Sequence, residues 1–176
     1  MQPGGAHATQ DADEFAEFVA SRQRQLQRAA WLLTGDWTAA EDLVQTALAK
    51  TWRHWRKVQA ADDPDAYVHR VLVNSFASGW RRRWRGEQPT ETIPDSLIAD
   101  VADEVSTRLS VQAALARLPR RQRAVLVLRY FQDMSEAQVA EAMGCAVGTV
   151  KSTSDKAITR LRAEPMLTGL LDTVQP

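Results

Sequence analysis

"SEAQVAEAMGCAVGTVKSTSDKAITRLR" (Ser135–Arg162) divides itself into a short helix, a tight turn and a longer helix. Ser135 and Gln138 stand at capping-box spacing, which satisfies two amide donors at a helix start. Ala140 is small where two helices must cross closely. Gly144 supplies a turn in which a Cβ would be strained. Val150 anchors the second helix on the first, and Val147, Ala157, Ile158 and Leu161 extend the predicted buried face. Thr149, Ser152, Thr153 and Lys156 fall on the opposite face, with Lys151 at its border. This is the layout of a helix-turn-helix. Short hydroxyls and lysines in the N-terminal half of its second helix suit base edges and phosphates in a major groove. A helical packing module that binds no DNA would use the same small and apolar positions, but not the polar outer face.

Upstream, Leu118–Pro119 marks a break and restart in a helical pattern that resumes near Thr107. Before it, "EQPTETIPDSLIADVADEVS" holds six acids, two prolines and no base, and reads as a linker over 87–106. Helical periodicity dominates the first half as well. Phe15, Phe18, Val19, Leu26, Ala30 and Leu33 share one face of a helix that Gly35 ends. Thr38 and Glu41 have capping-box spacing for the next helix, with a stripe of Leu43, Val44, Ala47, Leu48, Thr51 and Trp55. Asp63 and Pro64 restart a helix as N-cap and first residue. Val68, Leu72, Ser75, Phe76 and Gly79 form its inner face. The expected fold is all-α: two small helical domains joined by an acidic linker. A flexible leader (1–11) and a tail (165–176) flank them. The tail's Met166, Leu167, Leu170 and Leu171 are expected to pack on the second domain.

The charges add to zero, 22 basic against 22 acidic, but unevenly. Residues 1–86 carry 12 basic and 10 acidic groups, 87–106 carry 0 and 6, and 107–176 carry 10 and 6. Two basic blocks thus flank an acidic connector. One cysteine, Cys145, excludes an intramolecular disulfide framework, and a small buried thiol is its expected role. No apolar run approaches the ~20 residues of a membrane span, and the N-terminus lacks a secretory pattern. His7, His54 and His69 show no metal spacing with Cys145 or one another. Asp62, Asp63 and Asp65 read as helix-start acids. With no phosphate loop and no nucleophile elbow, an enzyme and a cofactor are not expected.

"GWRRRWR" (Gly79–Arg85) sets four arginines beside two tryptophans. A solvated basic face with inward tryptophans, or a nuclear or membrane-surface patch, would explain it. So would nucleic acid: arginines neutralise phosphates, and aromatic faces stack unpaired bases for ~1–3 kcal/mol each. That combination fits DNA that is partly opened. Some 20 linker residues reach at most ~70 Å, close to two turns of B-DNA at ~34–36 Å per turn. One chain spans two elements that far apart.

"AEDLVQTALAKTWRHW", "DPDAYVHRVLVNSFASGWRRRWR" and "LPRRQRAVLVLRYFQDMSEAQVAEAMGCAVGTVKS" together resemble the extracytoplasmic-function (group 4) sigma factors of bacterial RNA polymerase, of the sigma-70 family. The resemblance covers residues 12–163 in the family's order. It implies region 2 over 12–86, binding core polymerase and the −10 element, and region 4 over 107–164, binding the −35 element. Glu41, Asp42, Leu43, Gln45 and Trp52 match the segment that docks on the polymerase clamp. Asn74 matches an asparagine of the −10 reading helix, followed by Trp80, Arg81, Arg82 and Arg83, expected on phosphates and the edge of the melted strand. The −35 reader begins near Gly148, with Thr149, Lys151, Ser152, Thr153 and Lys156, and Arg120, Arg121 and Arg123 are expected to add backbone contacts. The loop near Val58–Asp63 matches the part that captures a flipped base, without a residue to carry over.

The resemblance further implies core RNA polymerase and promoter DNA as partners, an anti-sigma factor as a common third, no membrane insertion and a cytoplasmic, nucleoid-associated site. The Ala-, Arg- and Val-rich composition suits an actinobacterium. Departures from the family pattern are Ser78 for an acid, Thr153 for an arginine, Asp155 near DNA and Ala146 for a serine N-cap. They bear on −35 preference. A duplex-binding helix-turn-helix repressor and a sigma-like adaptor that does not bind DNA are the competing readings.

Overall fold

The structure, a computed structural model, describes the backbone of residues 4–83 and 111–163 and the side chains of 9–77 and 111–163. All regular structure among the described residues is helical. The first helix, α1 (Gly4–Thr34), buries Phe18, Leu26, Ala30 and Leu33 and half-buries Phe15 and Val19, the predicted stripe. It begins earlier than expected, because residues 4–11, read as a leader, form its first turns. Asp11 accepts from Arg56 Nε at 2.9 Å and Glu14 accepts from Gln59, so distant side chains tie this end down. Gly35 closes α1 at φ +78°. The amide end of Gln112 lies where a Cβ on residue 35 would sit, so this glycine serves a close approach as well as a turn.

Helix α2 (Trp37–Trp52) buries Leu43, Val44, Ala47, Leu48 and Thr51 as predicted. Its cap is not the expected Thr38–Glu41 pair. Asp36, two residues earlier, accepts from the Ala39 amide at 2.6 Å. A carboxylate at the positive end of a helix is a stronger acceptor than a hydroxyl. Trp55 opens α3 (Trp55–Gln59) and sits 5.0 Å from Phe15 and 5.1 Å from Phe18 between ring centroids, fastening α1 to the α2–α3 corner. Helix α4 (Pro64–Arg83) starts as predicted, with Asp63 Oδ1 accepting from the Ala66 amide at 2.8 Å. It buries Val68, Leu72, Ser75 and Phe76. Gly79, the last position of that stripe, the linker (87–106) and the tail (165–176) lie outside the described side chains.

The second half holds a helix over 111–117 (α5), the predicted break at Leu118–Pro119, and α6 (Arg120–Leu126). A π-helical turn (Val127–Phe131) follows, which helical periodicity does not foretell. Then come α7 (Glu136–Met143) and α8 (Val147–Arg162). One buried cluster runs from Phe18 to Leu161 through both halves. Helix α4 packs on α7, and α1 packs on α6 and the π-helical turn. The two halves are therefore in contact, which a bare tether between separate domains does not require.

Candidate nucleic-acid interface

The α7–α8 pair is built as its sequence reads. The Gln138 amide donates to Ser135 Oγ at 3.2 Å and the Ser135 amide to Gln138 Oε1 at 2.8 Å, a complete capping box. Gly144 turns the chain at φ +61°, and the Cys145 amide donates back to the Ala140 carbonyl at 2.9 Å. Ala140 and Val150 are buried at the crossing. Val147 departs from the prediction: on the expected inner stripe, it is 40 % exposed. It is the first residue of α8 and leaves the turn before the helix reaches its neighbours. Cys145 is half-buried rather than fully enclosed.

The outer face of α8 exposes Lys151, Ser152 and Lys156 and half-exposes Thr149 and Thr153. Lys151 Nζ lies 3.5 Å from Glu136, and Ser152 Oγ donates to the Thr149 carbonyl at 3.2 Å. Ala146, extended at φ −72° and ψ 151°, has the backbone of an N-cap without the side chain. The surface thus joins a positive helix end to hydroxyls and ammonium groups.

In the first half, Glu41, Asp42 and Gln45 are exposed on α2, and Trp52 is 42 % exposed against Phe15. Spacings of three, four and seven residues put these four on one face. Leu43 does not join them; it is buried in the core and supports that face from beneath. Asn74 is exposed on α4. Helix α4 continues through Trp80, Arg81, Arg82 and Arg83, whose side chains lie outside the described residues. Lys50, which no motif marks, donates to Ser75 Oγ at 2.9 Å beside Asn74. Its only sequence signal is a basic residue in the last turn of α2.

The three arginines ahead of α7 divide. Arg121 is exposed. Arg120 and Arg123 instead point at the first half, where Arg120 Nη1 donates to the Phe76 carbonyl at 3.2 Å and Arg123 Nη1 to the Leu33 carbonyl at 2.6 Å. Burial, helped by neighbouring Arg120, draws the Arg123 guanidinium below its usual pKa. On α4, His69 is 4 % exposed, and its Nδ1 has no hydrogen-bond partner among the described residues. Burial lowers its pKa against the pull of Asp65 and Asp63. The Ala66 amide, with Gln138, holds Asp63 below the usual carboxylate range. Asp62, Asp63 and Asp65 form no metal cluster among the described residues.

Family profiles agree with both halves: "Sigma-70 region 2" matches residues 18–86 and "Sigma-70, region 4" matches residues 108–161. The RNA polymerase sigma-E factor of Streptomyces coelicolor is 41% identical over 151 residues, covering 86% of this chain and 85% of the relative. The chain belongs to the sigma-70 family, among its extracytoplasmic-function members. This sigma factor is also 34% identical to the ECF RNA polymerase sigma factor SigM of Mycobacterium tuberculosis, over 96% of the chain and 84% of that relative. In fold it is similar to the sigma factor RpoE of Bartonella quintana, solved with the anti-sigma factor NepR, at a TM-score of 0.72 and 25% identity. That similarity covers 88% of this sigma factor and 97% of the solved chain. No helix among its described residues is long and apolar enough to cross a membrane.

Proposed function

We propose that this sigma factor binds core RNA polymerase and directs it to promoters by reading a −10 element through its first half and a −35 element through α8. The observation that carries this is the exposed polar face of α8, presented by a complete helix-turn-helix in a chain that matches both sigma-70 regions in order. Region 2 is assigned to 12–86 and region 4 to 107–164. Glu41, Asp42, Gln45 and Trp52 form the polymerase-docking face, with Leu43 behind it. Asn74 reads the −10 element, and Trp80 and Arg81–Arg83 hold its backbone and melted edge. Thr149, Lys151, Ser152, Thr153 and Lys156 face the −35 element, with Arg121 on a phosphate. The role is non-catalytic and needs no cofactor. It places the protein in the cytoplasm with the nucleoid. An anti-sigma factor is a further expected partner, since the similar Bartonella sigma factor was solved with one.

Runoff transcription tests the proposal, using bacterial core polymerase and a genomic promoter library. The wild type is compared with a variant carrying Arg81→Ala, Arg82→Ala and Arg83→Ala. Discrete transcripts that need both the protein and its arginines are expected. Tight duplex binding without transcripts would show a repressor instead, and core binding without DNA binding an adaptor.

A further inference from the structure

Two buried side chains on facing elements hold polar atoms that nothing in the fold satisfies. His69 on α4 and Gln132, which follows the π-helical turn, are 4 % and 6 % exposed. His69 Nδ1 and both amide atoms of Gln132 have no hydrogen-bond partner among the described residues. Buried polar groups are costly to leave unpaired, so a cluster of them points to something that fills the space between. Both side chains line one cleft of about 210 Å³, with Asp63, Asp133 and Gln138. That is smaller than the ~300–1,000 Å³ of a drug-sized pocket, so its occupant is small.

The charge of the cleft calls for a cation. Asp65 is matched by Arg22. Asp63 takes only neutral donors, the Ala66 amide on Oδ1 and Gln138 Nε2 on Oδ2, each at 2.8 Å, and these hold it ionised. Neither Asp63 nor Asp133, which is exposed at the rim, forms an ion pair among the described residues. The acids and His69 do not gather into a metal site among the described residues, so the cation that fits is organic. Its remaining pattern follows from the orphaned atoms. Burial keeps His69 neutral, which leaves one ring nitrogen an acceptor. Gln132 offers a carbonyl acceptor and an amide donor. That donor needs an oxygen on the ligand, which a bare alkylammonium lacks. We propose that the cleft binds a small hydroxylated amine, no larger than an amino sugar. The ammonium lies toward Asp63 and Asp133, and the hydroxyls exchange hydrogen bonds with Gln132 and His69. The surplus negative charge repels phosphates, which sets this site apart from the faces that meet DNA.

Isothermal titration calorimetry of the full chain near neutral pH, with glucosamine as the probe, tests this. We expect saturable binding at a single site with a dissociation constant below ~1 mM. Glucose lacks the charge and cyclohexylamine lacks the oxygens. Each should bind at least about tenfold more weakly, the loss expected when a buried or charged group is left unpaired. Asp133→Asn keeps a side chain that tolerates the φ of +49° found there. It should weaken glucosamine binding severalfold and leave the circular dichroism spectrum unchanged. Gln132→Leu removes both orphaned amide atoms and should abolish saturation. Absence of saturable binding by glucosamine and by the smaller serinol would overturn the proposal and leave the cleft to water. Equal binding of either control compound would overturn it too, as would glucosamine binding that neither substitution moves. If Gln132→Leu unfolds the chain, Asp133→Asn alone decides.

Discussion

His69 is a buried base surrounded by groups of both signs. Asp63, Asp65 and Arg22 face it from the first half, and Gln132, Asp133 and Gln138 line the same small cleft of about 210 Å³ from the second. Its native pKa lies below the ordinary 6.5, so the unfolded chain binds the extra proton first as pH falls. Its neutral burial therefore favours the fold fully above about pH 6.5, and that contribution is lost progressively below it, by at most ~1.4 kcal/mol per pH unit. Urea denaturation between pH 7.5 and 5 should show a stability drop in the wild type that His69→Gln flattens; parallel profiles would refute it. Asp63, with its pKa lowered, acts in a separate window below the carboxylate range. Single residues were legible where local geometry alone decides. Asp63 as a cap and Gly144 as a left-handed turn need only their neighbours in sequence. The burial of His69 needs partners from both halves, and no local pattern announces it.

Helix α8 was the most legible element, since a long amphipathic period with a glycine turn before it has few other solutions. Its errors are confined to its first turn. Val147 fits the buried period, but a helix's first residue has no preceding turn to carry it inward. The unfilled N-cap there makes a direct prediction. Ala146 already has cap geometry, so Ala146→Ser should raise stability by about 1 kcal/mol, read as a shift in the urea midpoint at constant slope. The α2 cap differs from its expected place for another reason. Asp36 and Thr38 both carry a capping oxygen, and Asp36 takes the cap because the helix already begins at Trp37, one residue ahead of Thr38. The π-helical turn at Val127–Phe131 was invisible because its extra residue leaves the apolar composition unchanged.

At the scale of the whole molecule, the sequence shows two helical halves in order and a basic-acidic-basic layout. It does not show that the halves close on one another. Three hydrogen bonds between them join residues 44, 75 and 90 positions apart, and two of the three end on a backbone carbonyl. Every residue carries that acceptor, so no side-chain pattern marks it. The resemblance that expects Arg120 and Arg123 on the DNA backbone likewise carries no sign of the carbonyls they meet in the fold.

Arg123 binds the fate of the two halves together. Its guanidinium holds the ends of α1 and α5 at once, so neither half loses its fold without disturbing the other. Calorimetry of the wild type should therefore give one transition whose calorimetric and van't Hoff enthalpies agree, and Arg123→Ala should part them; two separate transitions in the wild type would refute this coupling.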